Sequence, residues 1–231
     1  MLDLLIFAPA LGLKSPSPFA LKAIGLMEMS GLEYQTKPAD PRKAPKQKLP
    51  VLVDGTTQIP DTTHIQAYLK DTLKADLDEG LDTEQLAIAE AFRRMNEEHL
   101  YWVLVYGRWI ENGDSIRDVF FGMIPAIMRK FIFNRIVRKI SVSLHGQGLG
   151  RHSPEQIYAF GAADLKAVSD YLGDKDFFFG DRPTSIDASL CGMLASILIP
   201  DLDTPLKQAA MAHKNLVDYC DRFAARYKLR A

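Results

Sequence analysis

The sequence predicts an α/β domain at the N-terminus, followed by a domain built only of helices. Strand-like apolar runs and a β-hairpin signal occur before residue 75, whereas helical patterns fill the chain from residue 84 onward. Residues 76–83 are acidic and contain Gly80, which is typical of a linker. The expected organisation is an α/β domain over 1–75, a linker over 76–83 and a helical domain over 84–231.

The first half of the α/β domain is predicted to run in the order β-α-β. Residues 4–7 are a continuous apolar run that suits a buried strand. Ser17 followed by Pro18 is typical of a helix start, and Gly31 can end that helix. A weaker second strand is expected over 33–36.

The second half is predicted to run in the order β-β-α. An Asp-Gly pair at 54–55 lies between β-prone runs at 51–53 and 57–59, which is a strong signal for a hairpin. Asp61 and Thr62 then stand where the following helix needs a cap.

The first long helix of the second domain is predicted from one apolar face, whose residues recur at spacings of three and four. That face carries Ile88, Phe92, Met95, His99, Trp102 and Tyr106. Glu90 and Arg94 lie on the other face at the favourable i,i+4 spacing. Because His99 lies on the apolar face, it is expected to be a hydrogen-bonded core histidine; a ligand role is the alternative.

Two capping boxes mark further helix starts. Ser153 with Gln156 begins one helix, and Thr184 with Asp187 begins another. The residues after Thr184 are apolar almost all round, so this helix should be central and its start buried. A single last helix is expected from about Leu206.

Composition narrows the classes of function. Of the 231 residues, 47% are hydrophobic and 25% charged, which fits a folded globular chain. The net charge of −1 argues against a nucleic-acid or membrane partner. Without a visible signal peptide or an apolar run of about 20 residues, a cytoplasmic protein with no stable membrane insertion is expected. Cys191 and Cys220 lack metal or redox spacing, so buried free thiols and no metal are expected.

Three segments together resemble the cytosolic glutathione transferase superfamily. Residues 48–55 (KLPVLVDG) resemble the family's strand that begins with a cis-proline. Residues 59–69 (IPDTTHIQAYL) resemble the helix start that follows the hairpin. Residues 180–188 (GDRPTSIDA) resemble the family's buried capping-box helix. The resemblance implies a thioredoxin-like first domain within a glutathione transferase fold. Residues 15–22 and 148–155 are similar to the branch that holds the metaxins, the failed-axon-connections proteins and their bacterial relatives.

The resemblance also implies a glutathione site in the first domain. Leu49, which precedes Pro50, would pair through its backbone with the cysteinyl part of glutathione. Thr62 at a helix N-terminus suits the γ-glutamyl carboxylate, Asp61 the ammonium group and Lys48 the glycyl carboxylate. A simple helix cap is the alternative for Asp61 and Thr62, and a solvated surface lysine is the alternative for Lys48.

The group that activates the thiol is expected at the start of the first helix. Ser17 lies where related folds carry a reactive cysteine, and its hydroxyl together with the helix dipole would favour the thiolate. Phe7 has no hydroxyl, which disfavours a tyrosine-type enzyme. A plain N-cap is the alternative for Ser17, and Ser15 is a second candidate for activation.

Two functions are compatible with the resemblance. One is conjugation of reduced glutathione to a small hydrophobic electrophile; the other is a non-catalytic interaction module of the metaxin kind. A homodimer is an expectation of the family.

Residues 115–142 are rich in Phe, Ile and Met, carry basic residues and are interrupted by Pro125. We expect them to form an amphipathic helix pair over the cleft; contact with a bilayer and a plain part of the core are the alternatives.

Overall fold

A four-stranded mixed sheet forms the N-terminal part of the computed structural model, which describes residues 1–121 and 125–231. The strands are β1 (Leu2–Ile6), β2 (Tyr34–Pro38), β3 (Val51–Asp54) and β4 (Thr57–Pro60). Their spatial order is β2-β1-β3-β4; β1 is parallel to β2 and antiparallel to β3, and β3 is antiparallel to β4. With helices α1 (Pro18–Ser30) and α2 (Thr62–Asp71), this confirms the predicted thioredoxin-like order.

The first strand begins two residues earlier than predicted. Leu2, Leu4 and Ile6 are buried, whereas Asp3 faces outward and accepts hydrogen bonds from Lys37 Nζ (2.7 Å) and Gln35 Nε2 (2.7 Å) of β2. The strand therefore alternates between the two faces of the sheet instead of being apolar on both. Phe7 follows the strand and lies beyond its end.

The rest of the described chain is helical. Its helices are α3 (Thr83–Arg94), α4 (Tyr101–Tyr106), α5 (Gly113–Phe121), α6 (Ala126–Gln147), α7 (Pro154–Leu172), α8 (Ser185–Leu198), α9 (Pro205–Met211) and α10 (Lys214–Arg226). Both predicted capping boxes are present, at the starts of α7 and α8. Both cysteines are buried and free, as predicted. Within residues 1–121 and 125–231, no helix is long and apolar enough to cross a bilayer.

Helix α8 is the central element that joins the two parts of the molecule. Every residue from 185 to 197 is buried, and the helix packs against α1 and α10. A Cβ at Gly192 would lie 2.8 Å from the carbonyl oxygen of Pro18 and 2.9 Å from the backbone nitrogen of Lys22, so only glycine allows this approach. The buried helix thus supports the start of α1 directly.

The start of α8 is held by one buried carboxylate. Asp187 accepts hydrogen bonds from the Thr184 backbone N–H (2.7 Å) and hydroxyl (3.0 Å), the Phe178 N–H (2.8 Å) and the Tyr219 hydroxyl (2.6 Å). Burial raises the pKa of Asp187, while these donors act in the opposite direction. The predicted buried helix start is confirmed, and it is tied to α10 as well.

The long helix after the linker is not a regular α-helix. Two π-helical turns, at Met95–Leu100 and Gly107–Glu111, lie before and after α4. Each widens the helix and shifts the residues that follow onto a different face. His99 is consequently 40% exposed, with Nδ1 2.6 Å from Asp164 Oδ2, so its predicted hydrogen bond is confirmed and its predicted core position is wrong. The predicted Glu90–Arg94 ion pair is present at 2.7 Å.

The predicted single C-terminal helix is two helices. Leu206 and Ala210 of α9 are buried, and so are Leu216 and Phe223 of α10. The chain turns between them at Ala212 and His213, and both helices pack against α7 and α8.

Candidate functional site

A cleft of about 700 Å³ opens between the α/β part and the helix formed by α3 and α4. All six residues predicted for the site line it: Ser17, Lys48, Leu49, Pro50, Asp61 and Thr62. They come from the starts of α1, β3 and α2, which the sheet order brings to one edge. The volume is that of a typical small-molecule site.

The start of α2 offers hydrogen-bond donors to the cleft. Thr62 is the first helical residue and is 4% exposed; among the hydrogen bonds of the described residues, none involves its hydroxyl. The first N–H groups of a helix lack intrahelical acceptors and carry the positive end of its dipole. Asp61 caps the helix by accepting from Thr63 N–H at 2.9 Å, which leaves its second carboxylate oxygen available.

Asp61 also has a strained backbone, with φ at +81° and ψ at 133°. Residues other than glycine rarely adopt this region, and such strain is found most often at functional sites. The side chain is exposed in the cleft. Asp61 therefore caps the helix and also keeps one carboxylate oxygen available to a ligand.

Leu49 and Lys48 line the opposite side. The Leu49–Pro50 peptide bond is cis, as predicted. In the part of the chain that the structure describes, no backbone hydrogen bond uses the N–H or C=O of Leu49. Lys48 is exposed in the cleft, and Lys46 lies beside it in the lining. This side of the cleft therefore presents an unpaired backbone amide and two ammonium groups.

Ser17 is the N-cap of α1, and its hydroxyl accepts the Ala20 N–H at 3.4 Å. A serine hydroxyl has one hydrogen to donate in addition to its acceptor sites. The capping role therefore leaves the hydroxyl proton available to an anion in the cleft. Ser15, the second candidate, is fully buried and lies outside the lining, and its Oγ has no partner in the described residues. The structure excludes Ser15 from the cleft.

An aromatic wall that sequence reasoning missed closes the other half of the cleft. It is formed by Phe7, Phe19, Tyr101 and Trp102. The Tyr101 ring lies edge-on to Phe19 (4.9 Å between centroids) and to Trp102 (5.6 Å). Burial raises the pKa of Tyr101, and no hydrogen bond to its hydroxyl occurs in the described part of the chain. The period of 3.6 predicts Trp102 on the core face; the residue does pack partly against the core, and it also lines the cleft.

The prediction that residues 115–142 cover the cleft is wrong for the part of this segment that the structure describes, since none of it lines the cleft. Its aromatic side chains pack on the second π turn instead: Trp109 stacks on Phe120 (5.8 Å) and Phe133 (6.1 Å). Phe131 of α6 is 71% exposed. The segment does form the predicted helix pair, as α5 and α6, with Pro125 between them.

Two family models and several named proteins match this chain. The family model for the glutathione S-transferase N-terminal domain matches residues 18–115, and that for the C-terminal domain matches 161–223. The isoprene-epoxide–glutathione S-transferase of Rhodococcus sp. (strain AD45) is 34% identical over 96% of this chain and 98% of its own length. The chain belongs to the glutathione S-transferase family. The resemblance predicted from the three motifs is confirmed.

Other relatives of this glutathione S-transferase family member carry different names. Failed axon connections of Drosophila melanogaster is 30% identical over 91% of this chain but only 54% of its own length. Metaxin-1 of Macaca fascicularis is 28% identical over 98% of this chain and 75% of its own length. Among solved structures, the fold matches a Methylobacterium radiotolerans glutathione S-transferase in complex with glutathione sulfonate (TM-score 0.58, 20% identity, 97% and 91% coverage).

A buried ionic network links the two halves of this transferase-family fold beside the cleft. Glu97, on the first π turn, accepts from Lys22 Nζ of α1 (2.6 Å) and from the Ser189 hydroxyl of α8 (2.7 Å) on Oε1, and from Arg93 (2.9 Å) on Oε2. Burial lowers the pKa of Lys22, and the charge of Glu97 opposes that effect. The described residues contain no group of three or more His, Cys, Asp or Glu that could hold a metal ion.

Proposed function

We propose that this protein transfers reduced glutathione to a small hydrophobic electrophile bound in the cleft. The observation that carries the proposal is the juxtaposition of two surfaces: unpaired donors at the starts of α1 and α2 face an aromatic wall across one cleft. The relative that is named an isoprene-epoxide transferase makes an epoxide the first electrophile class to test. A cytoplasmic location and a homodimer stay predictions from the sequence.

Glutathione would bind in the half of the cleft formed by the α/β part. Its γ-glutamyl carboxylate would lie at the N-terminus of α2, where the Thr62 hydroxyl and unpaired N–H groups can donate. Asp61 would accept from the ammonium group, and Lys48 would pair with the glycyl carboxylate. The cysteinyl backbone would pair with that of Leu49, so that the thiol points toward α1.

Ser17 would stabilise the thiolate. Its hydroxyl can donate to sulfur while its oxygen still caps α1, and the positive end of the helix dipole favours the ionised form. The serine is a hydrogen-bond donor in this scheme and not a nucleophile. Its effect is a lower pKa of the bound thiol, with each unit equivalent to about 1.4 kcal/mol.

With an epoxide, the thiolate sulfur attacks a ring carbon, the S–C bond forms and the C–O bond breaks. The oxygen that leaves the carbon becomes an alkoxide and needs a proton. Tyr101 lines the same cleft, and burial raises the pKa of its hydroxyl further above neutral pH. We propose that Tyr101 donates this proton and regains one from water.

The activating role of Ser17 is tested by thiolate absorbance of the bound complex against pH. Ser17→Ala should raise the pKa of bound glutathione and slow conjugation near neutral pH, and should leave the affinity for glutathione largely intact. Ser153→Ala is a matched control, because Ser153 also caps a helix but does not line the cleft. Identical titration curves for wild type and Ser17→Ala would remove Ser17 from the mechanism.

The binding mode is tested by calorimetry with reduced glutathione, which should show one site per chain. Asp61→Ala should weaken binding, since it leaves the ammonium group of glutathione without its carboxylate. Asp82→Ala is the matched control, because Asp82 caps α3 away from the cleft.

The similarity to failed axon connections and metaxin supports a second candidate function, a non-catalytic interaction module. Absence of binding at millimolar glutathione would favour that candidate.

A further inference from the structure

Arg108 is a buried cation that joins the start of α1 to the end of α8. The residue is 7% exposed and lies on the second π turn. One terminal nitrogen donates to the Pro16 carbonyl oxygen (2.7 Å) and the other to the Ser196 carbonyl oxygen (2.5 Å). The described residues place no carboxylate within ion-pairing distance of the guanidinium. Burial lowers the pKa of Arg108 to about 10, so the group is still charged at neutral pH.

The Pro16–Ser17 peptide connects this cation to the cleft. Its peptide bond is trans, so the carbonyl oxygen and the N–H point in opposite directions. Arg108 holds the oxygen from the interior, which directs the Ser17 N–H to the other side. In the part of the chain that the structure describes, no hydrogen bond uses this N–H, and Ser17 itself lines the cleft. A cation on the carbonyl oxygen also polarises the peptide and makes its N–H a stronger donor.

The charge of Arg108 also reaches the aromatic wall of the cleft. Tyr101 precedes Arg108 by seven residues on the same long helix. Burial raises the pKa of Tyr101, and the charge of Arg108 acts in the opposite direction. A buried charge is screened much less than an exposed one, so its field acts on neighbouring groups. This field favours an anion where the start of α1 meets the wall, at the contact between Phe19 and Tyr101.

We propose that Arg108 is a positioning residue for thiol activation: it orients and polarises the Pro16–Ser17 peptide, and its buried charge stabilises the thiolate of bound glutathione together with the Ser17 hydroxyl. This role rests on the proposed function, because it concerns the same bound thiol. Arg108 does not line the cleft and acts through Ser17. It favours the thiolate over the thiol, so its loss should change the titration of bound glutathione more than the affinity.

Other ionisable groups face the cleft from the elements around it. Lys46 and Lys48 lie before β3, Asp61 and His64 lie at the start of α2, and the charged residues of 93–98 lie on the first long helix. All of them stay the same when Arg108 is replaced. A difference between variants in the pKa of bound glutathione is therefore due to position 108.

The test compares two variants that both keep a hydrogen-bond donor at position 108 and differ in charge. In Arg108→Gln, the pKa of bound glutathione, measured by thiolate absorbance, should rise by roughly 0.5–1 unit, which slows conjugation near neutral pH by about three- to tenfold. Arg108→Lys keeps the charge and should stay close to wild type. The rate of Arg108→Gln should approach the wild-type rate at high pH, where the thiol ionises without help. A merely structural role would lower the rate at every pH and leave the pKa unchanged.

Tyr219→Phe is the matched control for stability. It removes a hydrogen bond to the buried Asp187 carboxylate and should lower the melting temperature, but Tyr219 does not line the cleft, so the pKa of bound glutathione should stay at the wild-type value. If Arg108→Gln does not fold, Arg108→Met serves as the neutral variant. A crystal structure of wild type with glutathione needs no variant, and it should place the sulfur within hydrogen-bond distance of the Ser17 hydroxyl or N–H.

Equal pKa values in wild type and Arg108→Gln would overturn the role of Arg108, and so would an equal rise in Arg108→Gln and Arg108→Lys. A rise in Tyr219→Phe would also overturn it, because the pKa would then follow stability. A failure of the proposed function looks different: wild type itself would bind no glutathione, or would not lower the thiol pKa below that of free glutathione. Sulfur bound away from the start of α1 would contradict both.

Discussion

Replacing Asp187 with alanine should destabilise this protein more than the loss of an ordinary helix cap. The Asp187 carboxylate is fully buried and accepts from the Thr184 N–H, the Phe178 N–H and the Tyr219 hydroxyl. In Asp187→Ala these donors and the Thr184 hydroxyl, which also donates to Asp187, lose their acceptor while they stay in the interior. Removing a cap costs about 0.5–2 kcal/mol, and each stranded buried donor adds about 1–3 kcal/mol.

The expected loss of unfolding free energy is smaller than the sum of these contributions. Asp187→Ala also removes the desolvation penalty of the buried carboxylate, which is the effect that raises its pKa. We therefore expect a loss on the order of 3–5 kcal/mol in the free energy of unfolding. Asp187→Asn keeps one acceptor oxygen and should fall between Asp187→Ala and wild type. Ser153→Ala is the matched control, since it removes the capping residue of an exposed helix start and should cost only about 1 kcal/mol.

The assay is urea unfolding followed by circular dichroism, with the free energy of unfolding extrapolated to water for each variant. The slope should be the same in all of them, because each exposes the same surface on unfolding. If Asp187→Ala loses no more than Ser153→Ala, the buried hydrogen bonds do not hold the start of α8, and the reasoning is refuted.

Two further predictions concern charged residues near the cleft. Glu97→Gln leaves the Lys22 ammonium buried without its counter-charge, so it should cost about 3–5 kcal/mol of unfolding free energy. Adding Lys22→Met should restore most of this loss. An equal loss in the single and the double variant would contradict this prediction. The hydrogen bond from Arg93 lowers the pKa of Glu90 to about 2, below its unfolded value near 4.5. The pair therefore stabilises the protein above about pH 4.5 and loses that effect as the pH falls toward 2. Glu90→Gln should flatten this part of the profile of unfolding free energy against pH, and an unchanged profile would show that other groups control it.

Features set by neighbouring residues were predictable from the sequence. The capping box of Thr184 and Asp187 needs only residues three apart, and the Asp-Gly pair at 54–55 sets its turn locally. The residues carried over from the family resemblance, such as Leu49 and Thr62, do meet in one cleft. Their roles toward glutathione stay predictions.

Features that depend on distant residues or on a change of helical period were not predictable. Lys22 and Glu97 are 75 positions apart, and no local pattern indicates that they pair. A hydrophobic period of 3.6 assumes a regular α-helix, and the π turn at Met95–Leu100 interrupts that period. The regular period therefore predicts a core position for His99, which is partly exposed, and it does not predict that Trp102 lines the cleft.

The first π turn also makes the aromatic wall of the cleft open to change in one genetic step. A π turn is equivalent to one residue inserted into an α-helix, and each residue turns an α-helix by about 100°. Deleting a single residue within Met95–Leu100 would restore the regular period and rotate Tyr101 and Trp102 away from the cleft. The α/β half that presents Ser17 and Thr62 would keep its sequence. In the proposed reaction, such a deletion would change the surface offered to the electrophile while the opposite surface of the cleft stayed the same.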